Sequence, residues 1–244
     1  MTTQRIVSLV PSLTELVCWL GCEETLVGRT RFCEEPASTI QKVPTVGGTK
    51  NPDVAAITAT EPDLVIANQE ENRREDVEAL RKAGLNVLVT NPNSMEETLA
   101  MILNLGVVLR QQKKATELVE EVRAVIGESG DARKKALFVP IWQNPLMGLA
   151  GDTYGNALLI AVGAENILAG ESRYPELTWQ EVEALSPEAI LLPDEPFPFT
   201  QQHVPKFASI APTTVVDGKL LWWYGPRIPE AIRELRRIIA ELPT

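Results

Sequence analysis

The stretch MTTQRIVSLVPSLTELVCWLG (residues 1–21) reads as the opening of an α/β fold. After Arg5, the run Ile6-Val7-Ser8-Leu9-Val10 is stopped by Pro11-Ser12. So short a run suits a buried strand and falls far short of the apolar core of an export signal. Ser12-Leu13-Thr14-Glu15 then has the form of a capping box, with Ser at the N-cap and Glu at N3, ahead of Leu16, Val17, Trp19 and Leu20. Strand, tight turn, helix is the expectation. The fold should begin at once with no leader before it, which makes the cytoplasm the expected compartment. An extracytoplasmic location, with a leader removed, is the alternative.

The rest of the chain narrows the class. Its 244 residues can bury one large core or two modest ones, and 44% hydrophobic with 23% charged residues is ordinary for a globular protein. A net charge of −10 argues against a nucleic-acid groove, which needs a concentrated basic face. No apolar stretch reaches membrane-spanning length. Cys18, Cys22 and Cys33 are too few for a disulfide scaffold, and an odd number leaves one thiol free.

The two halves of the chain resemble each other. RIVSLVPS (residues 5–12) is similar to KALFVPIW (135–142), LGCEETLVG (20–28) to VGAENILAG (162–170), and EPDLVIANQE (61–70) to SPEAILLPDE (186–195). The matches fall in the same order, so each half should alternate strand and helix around a mainly parallel sheet. Between them, Ser94 and Glu97 form a second capping box ahead of Met95, Leu99, Ile102 and Leu103. Ala115, Leu118, Val119, Val122, Val125 and Ile126 mark a further amphipathic helix that the turn residues 127–130 should end. The expected architecture is two Rossmann-like α/β lobes: an N-terminal lobe 1–110, a bridging helix 111–130 and a C-terminal lobe 131–244.

On three stretches the chain resembles a known family: RIVSLVPSLTELVCWLG at the start, VGGTKNPDVAAITATEPDLVIA (46–67) and LTWQEVEALSPEAILL (177–192). It is similar to the helical-backbone (class III) substrate-binding proteins of ABC importers, which bind cobalamin, haem and iron–siderophore complexes. The resemblance implies two α/β lobes bridged by a helix, with a ligand cleft between them, acting as a monomer that binds and does not catalyse. It implies no intrinsic cofactor but a bound metal chelate, cobalamin first. Members that dock on a permease carry one exposed Glu per lobe, and the matching positions here are Ala55 and Gln180. Both charges are absent, with Asp53 and Glu181 near enough to substitute. A relative that binds its ligand without feeding a transporter is therefore expected.

Open α/β sheets bind ligands beyond the carboxyl ends of their strands. In the first lobe that selects Pro11, Ser12 and Thr14 at a helix start, or leaves Ser12 as a plain cap. It selects Arg31 for a ligand carboxylate, and Cys33 as thiolate or as a small buried hydrophobe. Gly48 and Lys50 sit on a glycine-bearing loop that lacks the ending of a phosphate loop. Glu70 lies in the run Asn68 to Asn72, which reads equally as a solvated helix start. In the second lobe it selects Trp142, Tyr154, Arg173, Glu195 and Phe197, the last two on a proline-stiffened loop. Trp222, Tyr224 and Arg227 close the set, with Trp222 and Tyr224 expected on one face of a strand and Trp223 on the other. Aromatic rings in this number suit a macrocycle, and some must be core.

With one histidine, His203, a metal site built from protein alone is not expected. A metal would arrive chelated and take at most one axial ligand from His203, Cys33 or Tyr154, although the polar run around His203 favours a solvent-exposed histidine. An enzyme acting in the same cleft, with Glu70 and Glu195 as its acids, is one alternative function; an ordinary importer receptor whose leader was trimmed is the other. The chain lacks a Gly-x-Ser-x-Gly elbow, a Walker loop and a dinucleotide fingerprint.

Overall fold

The computed structural model describes residues 4–128 and 134–243. In the first half β1 (Ile6–Ser8) leads to α1 (Pro11–Trp19), and a 3-10 turn (Glu23–Thr25) precedes β2 (Leu26–Arg29). Then come α2 (Ala37–Ile40), α3 (Val54–Ala59), β3 (Leu64–Asn68), α4 (Arg74–Lys82) and β4 (Val87–Thr90). The strands are all parallel in the order β2-β1-β3-β4, with Ile6, Val7 and Ser8 opposite Leu64, Val65 and Ile66. Every residue of β3 is buried, as its unbroken apolar run demands of a parallel strand.

Two long helices follow, α5 (Met95–Val108) and α6 (Gln112–Gly127). Ser94 Oγ accepts from the Glu97 N–H at 3.1 Å, while Glu97 Oε2 reaches back to the Asn93 N–H at 2.7 Å. This is the expected capping box with its return arm one residue early. Helix α6 buries Ala115, Leu118, Val119, Val122 and Val125 along one side. Ser129 and Gly130 of the expected turn lie outside the described residues.

The second half runs β5 (Ala136–Phe138), β6 (Pro140–Gln143), β7 (Leu146–Gly148), α7 (Tyr154–Ala161), β8 (Glu165–Asn166), α8 (Trp179–Ala184), β9 (Ala189–Pro193), α9 (Val204–Phe207), β10 (Thr213–Val216), α10 (Lys219–Trp222) and α11 (Ile228–Glu241). Its sheet is parallel in the order β10-β9-β5-β8, and β6 and β7 form a separate antiparallel hairpin. Numbered within its own half, each sheet reads second-first-third-fourth. The matched motifs keep their register: β3 and β9 occupy the same place in their stretches, and Glu61 (φ 46°) and Ser186 (φ 51°) both open theirs in the left-handed region. Gly21 and Gly163 end the first helix of each half at φ 82° and 83°, a conformation that favours glycine.

The backbone divides into two compact units, one of Met1–Asn91, Met101–Leu118 and Tyr224–Pro226, the other of Pro92–Ala100, Val119–Trp223 and Arg227–Thr244. In the first, Val7, Leu9, Val46, Ile57, Val65 and Leu80 pack into a core; in the second, Phe138, Leu168, Ile190, Leu192, Phe199 and Phe207 do so. Among the described residues no helix is long and apolar enough to cross a membrane.

Two local expectations are corrected, and two further placements go beyond the sequence reading. Helix α1 starts at Pro11 behind an uncapped Val10, so Ser12 is not the N-cap; proline needs no N–H partner at N1 and takes that place. Residues 219–222 form a helical turn instead of a strand, because Asp194 Oδ1 and Asp217 Oδ1 accept the Gly218 and Lys219 N–H groups and cap it. Trp142 and Gln143 belong to the β6–β7 hairpin, with Asn144-Pro145 at its turn. Cys22 lies beyond the end of α1, so it does not share that helix with Cys18.

Candidate functional site

A sheet ordered second-first-third-fourth has its switch point between its first and third strands, where the chain leaves in opposite directions and the outgoing loops part. In the first unit that point lies beyond β1 and β3; in the second, beyond β5 and β9.

Beyond β1 the side chains turn inward. Thr14 is fully buried; its Oγ1 donates to the Val10 carbonyl at 2.8 Å and lies 2.8 Å from Ser8 Oγ and 3.1 Å from Cys33 Sγ. Cys33 is likewise fully buried, and burial raises its thiol above the usual range against the hydrogen bonds of Thr14 and Thr30. Ser12 is buried and Pro11 half-buried. Thr14 and Cys33 thus serve the packing of the strand end.

The outward groups lie on the next loops. Arg31 is exposed, its guanidinium 4.9 Å from the ring centre of Phe32, itself 48% exposed. The Arg31 N–H donates to the Gly47 carbonyl at 2.9 Å. Gly47 has φ +98°, and a Cβ there would lie 2.7 Å from Asn51 O and Asp53 N, so glycine is required for this tight turn. Gly48 is buried beside it, and Lys50 Nζ donates to the Glu70 carbonyl at 2.5 Å. Glu71 is half-buried and its carboxyl is raised by desolvation, with Lys50 pulling the other way.

Asn68 and Asn72, read from sequence as part of a solvated run, are buried. Asn72 Oδ1 accepts the Asn68 N–H at 2.8 Å, while Asn72 Nδ2 donates to Thr49 O at 2.9 Å and Leu9 O at 3.4 Å. Asn68 Nδ2 donates to Thr90 Oγ1 at 3.0 Å. One amide therefore ties the ends of β1 and β3 to the glycine loop. Only the spacing of Asn72 behind the apolar strand hinted at this.

The second unit's switch point is aromatic. Trp142, on β6, is 39% exposed and meets Phe197, in the loop after β9, edge-to-face at 5.3 Å. Phe197 packs on Phe199 at 4.6 Å and on His203 at 5.6 Å. Trp142 Nε1 donates to Asn144 O at 3.0 Å, and His203 Nδ1 accepts the Thr200 N–H at 3.0 Å. The exposed Trp142 and the half-buried Phe197 and His203 form a ledge over the fully packed Phe199 and Phe207. His203, which its polar neighbours had let pass as solvated, is part of it.

Beside it lies a polar aromatic cluster. The Glu195 carbonyl accepts from Trp222 Nε1 at 2.7 Å, and Glu195 Oε1 accepts from Trp223 Nε1 at 3.2 Å. Burial, then repulsion from Asp194, raises the Glu195 carboxyl. The Arg227 guanidinium and the Lys219 ammonium each lie 5.1 Å from the Trp223 ring centre. Tyr154 is buried, donates its O–H to Trp223 O at 3.3 Å and is raised by burial. Tyr224 is buried, Trp222 half-buried. Arg173, at φ 61°, is held by Asp152: its N–H donates to Asp152 Oδ1 and its Nη1 to Asp152 O at 3.2 Å and Asn93 Oδ1 at 3.4 Å. The Arg173 N–H first, and the Ser172 hydroxyl after it, lower the Asp152 carboxyl.

The structure thus gathers Trp142 with Phe197, Glu195 with Trp222, Arg31 with Gly48, and Lys50 with Glu70; it buries Ser12, Thr14, Cys33, Tyr154 and Tyr224. Such surfaces supply apolar area, cations and hydrogen-bond donors, the materials of recognition. Among the described residues no cluster of three or more His, Cys, Asp or Glu side chains could hold a metal ion.

Ala55 and Gln180 are exposed at the second position of α3 and α8. Asp53 caps α3 by accepting the Ala56 N–H at 2.9 Å; Glu181 completes the α8 capping box by accepting the Thr178 N–H at 2.6 Å, and the Thr178 bonds lower its carboxyl.

Residues 6–205 match the model of a family described as periplasmic binding protein. The ABC transporter substrate-binding lipoprotein YvrC of Bacillus subtilis is 27% identical over 97% of this chain and 80% of its own. The vitamin B12-binding protein of Salmonella choleraesuis is 28% identical over 77% of this chain and 71% of its own. The crystal structure of a periplasmic heme-binding protein from Pseudomonas aeruginosa superposes with a TM-score of 0.83 at 23% identity, covering 98% of this chain and 94% of that one.

Proposed function

This chain belongs to the periplasmic binding protein family, and from that premise we propose that it binds a metal chelate, a corrinoid first, and catalyses no reaction on it. The observation that carries the reading is the half-exposed ledge of Trp142 and Phe197 at the second unit's switch point. Aromatic faces on stiff loops suit a broad, flat, largely apolar ligand. Trp222 and Arg227 in the same unit suit the carboxylate and amide groups that fringe such chelates. A relative named for vitamin B12 supports the corrinoid; a fold shared with a heme-binding protein keeps haem as the second candidate.

Relatives named as lipoprotein and periplasmic favour an extracytoplasmic site of action over the cytoplasmic one expected from sequence. Permease docking is read as weak. Ala55 and Gln180 bring no charge, and the neighbouring carboxylates of Asp53 and Glu181 are engaged in capping their helices.

Titration with cyanocobalamin, cobinamide, haemin and a ferric siderophore, followed by tryptophan fluorescence, tests the reading. Saturable quenching by one chelate is expected, since Trp142 stands on the ledge. A flat response to all four refutes it.

A further inference from the structure

The only histidine of the chain sits on the ledge with one of its nitrogens already committed. A backbone N–H can only donate, so the Thr200 N–H at 3.0 Å requires His203 Nδ1 to be the bare nitrogen of the ring. Thr200 Oγ1, 3.1 Å from the same atom, can add a second donor. In the neutral imidazole the proton then resides on Nε2. Among the described residues Nε2 has no partner, and it is not among the buried unpaired atoms, so it reaches solvent. The ring is held edge-on by Phe197 at 5.6 Å and Phe199 at 5.5 Å, which fixes the direction of that N–H.

We propose that His203 is a specificity residue that donates a hydrogen bond from Nε2 to an oxygen on the rim of the ligand, a carboxylate or an amide, and does not coordinate the metal. Resting on the chelate reading above, it assigns the histidine a chemistry opposite to axial ligation, because ligation through the outward nitrogen needs a bare Nε2 with the proton on Nδ1. The other two axial candidates are no better placed: Cys33 is a buried thiol and the buried Tyr154 donates its proton to Trp223 O.

Two measurements decide it. With histidine labelled by ¹⁵N, the free protein above pH 8 should show a protonated Nε2 and a bare Nδ1; the reverse tautomer overturns the proposal without any ligand present. His203→Asn keeps an acceptor where Nδ1 stood but cannot reach the rim, and His203→Gln restores a distal N–H. Titrated with cyanocobalamin, whose rim carries amides, and haemin, whose rim carries carboxylates, H203N should bind the preferred probe about tenfold more weakly than wild type, and H203Q within about threefold. The preferred probe distinguishes the two rim chemistries. Wild-type affinity in H203N, or an imidazole-ligated haemin spectrum that H203N abolishes, overturns the proposal. Binding of neither probe by the wild type refutes the chelate reading and withdraws the recognition role with it, while the tautomer result still stands by itself.

Discussion

Removing the Asn72 side chain tests whether one buried amide organises the first unit's strand ends. Asn72→Ala deletes bonds of 2.8 and 2.9 Å and a longer one of 3.4 Å, and strands the Asn68 N–H and the Thr49 carbonyl. Two good bonds at about 1 kcal/mol each, plus partial desolvation of the stranded groups, give a loss of about 3 kcal/mol. For a chain of this size that is a fall in Tm of roughly 6–12 °C. Hydrogen exchange should quicken at residues 47–51, whose loop loses its anchor. Asn72→Asp adds a sign test. The new carboxylate keeps the acceptor for Asn68 but faces the Thr49 and Leu9 carbonyls, so its folded pKa lies above the unfolded ~3.9. Its contribution is whole below that value and lost as pH rises through the raised one. N72D should therefore approach wild type in acid and fall below N72A at neutral pH. A Tm shift under about 1 °C for N72A, with loop exchange unchanged, refutes the argument.

Three further outcomes follow from the geometry. Gly47→Ala should cost more than about 2 kcal/mol by thermal melting, because its Cβ would meet backbone at 2.7 Å, whereas Gly84→Ala, at φ +85° in open space, should cost about 1 kcal/mol; equal losses refute the clash. Glu195, raised by burial and Asp194, contributes stability that is whole below its ordinary 4.5 and is lost as pH rises through the raised value. Glu195→Gln should then match wild type in acid and out-melt it above that window, and parallel Tm profiles count against it. Burial raises all three thiols, Cys18 up to about 12, so iodoacetamide at pH 8 should label the native chain slowly and the urea-unfolded chain fully; rapid native labelling of Cys33 contradicts its burial.

The repeat was legible because its signals are local: apolar runs of strand length, and turn residues at fixed distances from them. Thus residues 64–68 and 189–193 sit where matching the two stretches puts them. What escaped the sequence depends on partners far along the chain. Asn72 looks solvated until Leu9 and Thr49 are brought beside it, and the helical turn at 219–222 is capped in part by Asp194. Ser12 lost its capping role to a neighbour, since proline at N1 competes for the same start. The aromatic residues were visible as residues, but which of them pack inward could not be read from spacing: Tyr154 and Tyr224 are buried, while Trp142 is not.

The hairpin β6–β7 divides the two otherwise matching halves. Leu9 and Val10 alone join β1 to α1, whereas residues 139–153 join β5 to α7 and carry Trp142 on the way. Neither hairpin strand is part of the parallel sheet's ladder; each pairs with the other. Leu146 anchors the hairpin in the second core, and the Leu177 N–H donates to its carbonyl at 2.8 Å, whereas Trp142 stands outside that packing, so its side chain can be changed while every rung of the four-stranded ladder persists.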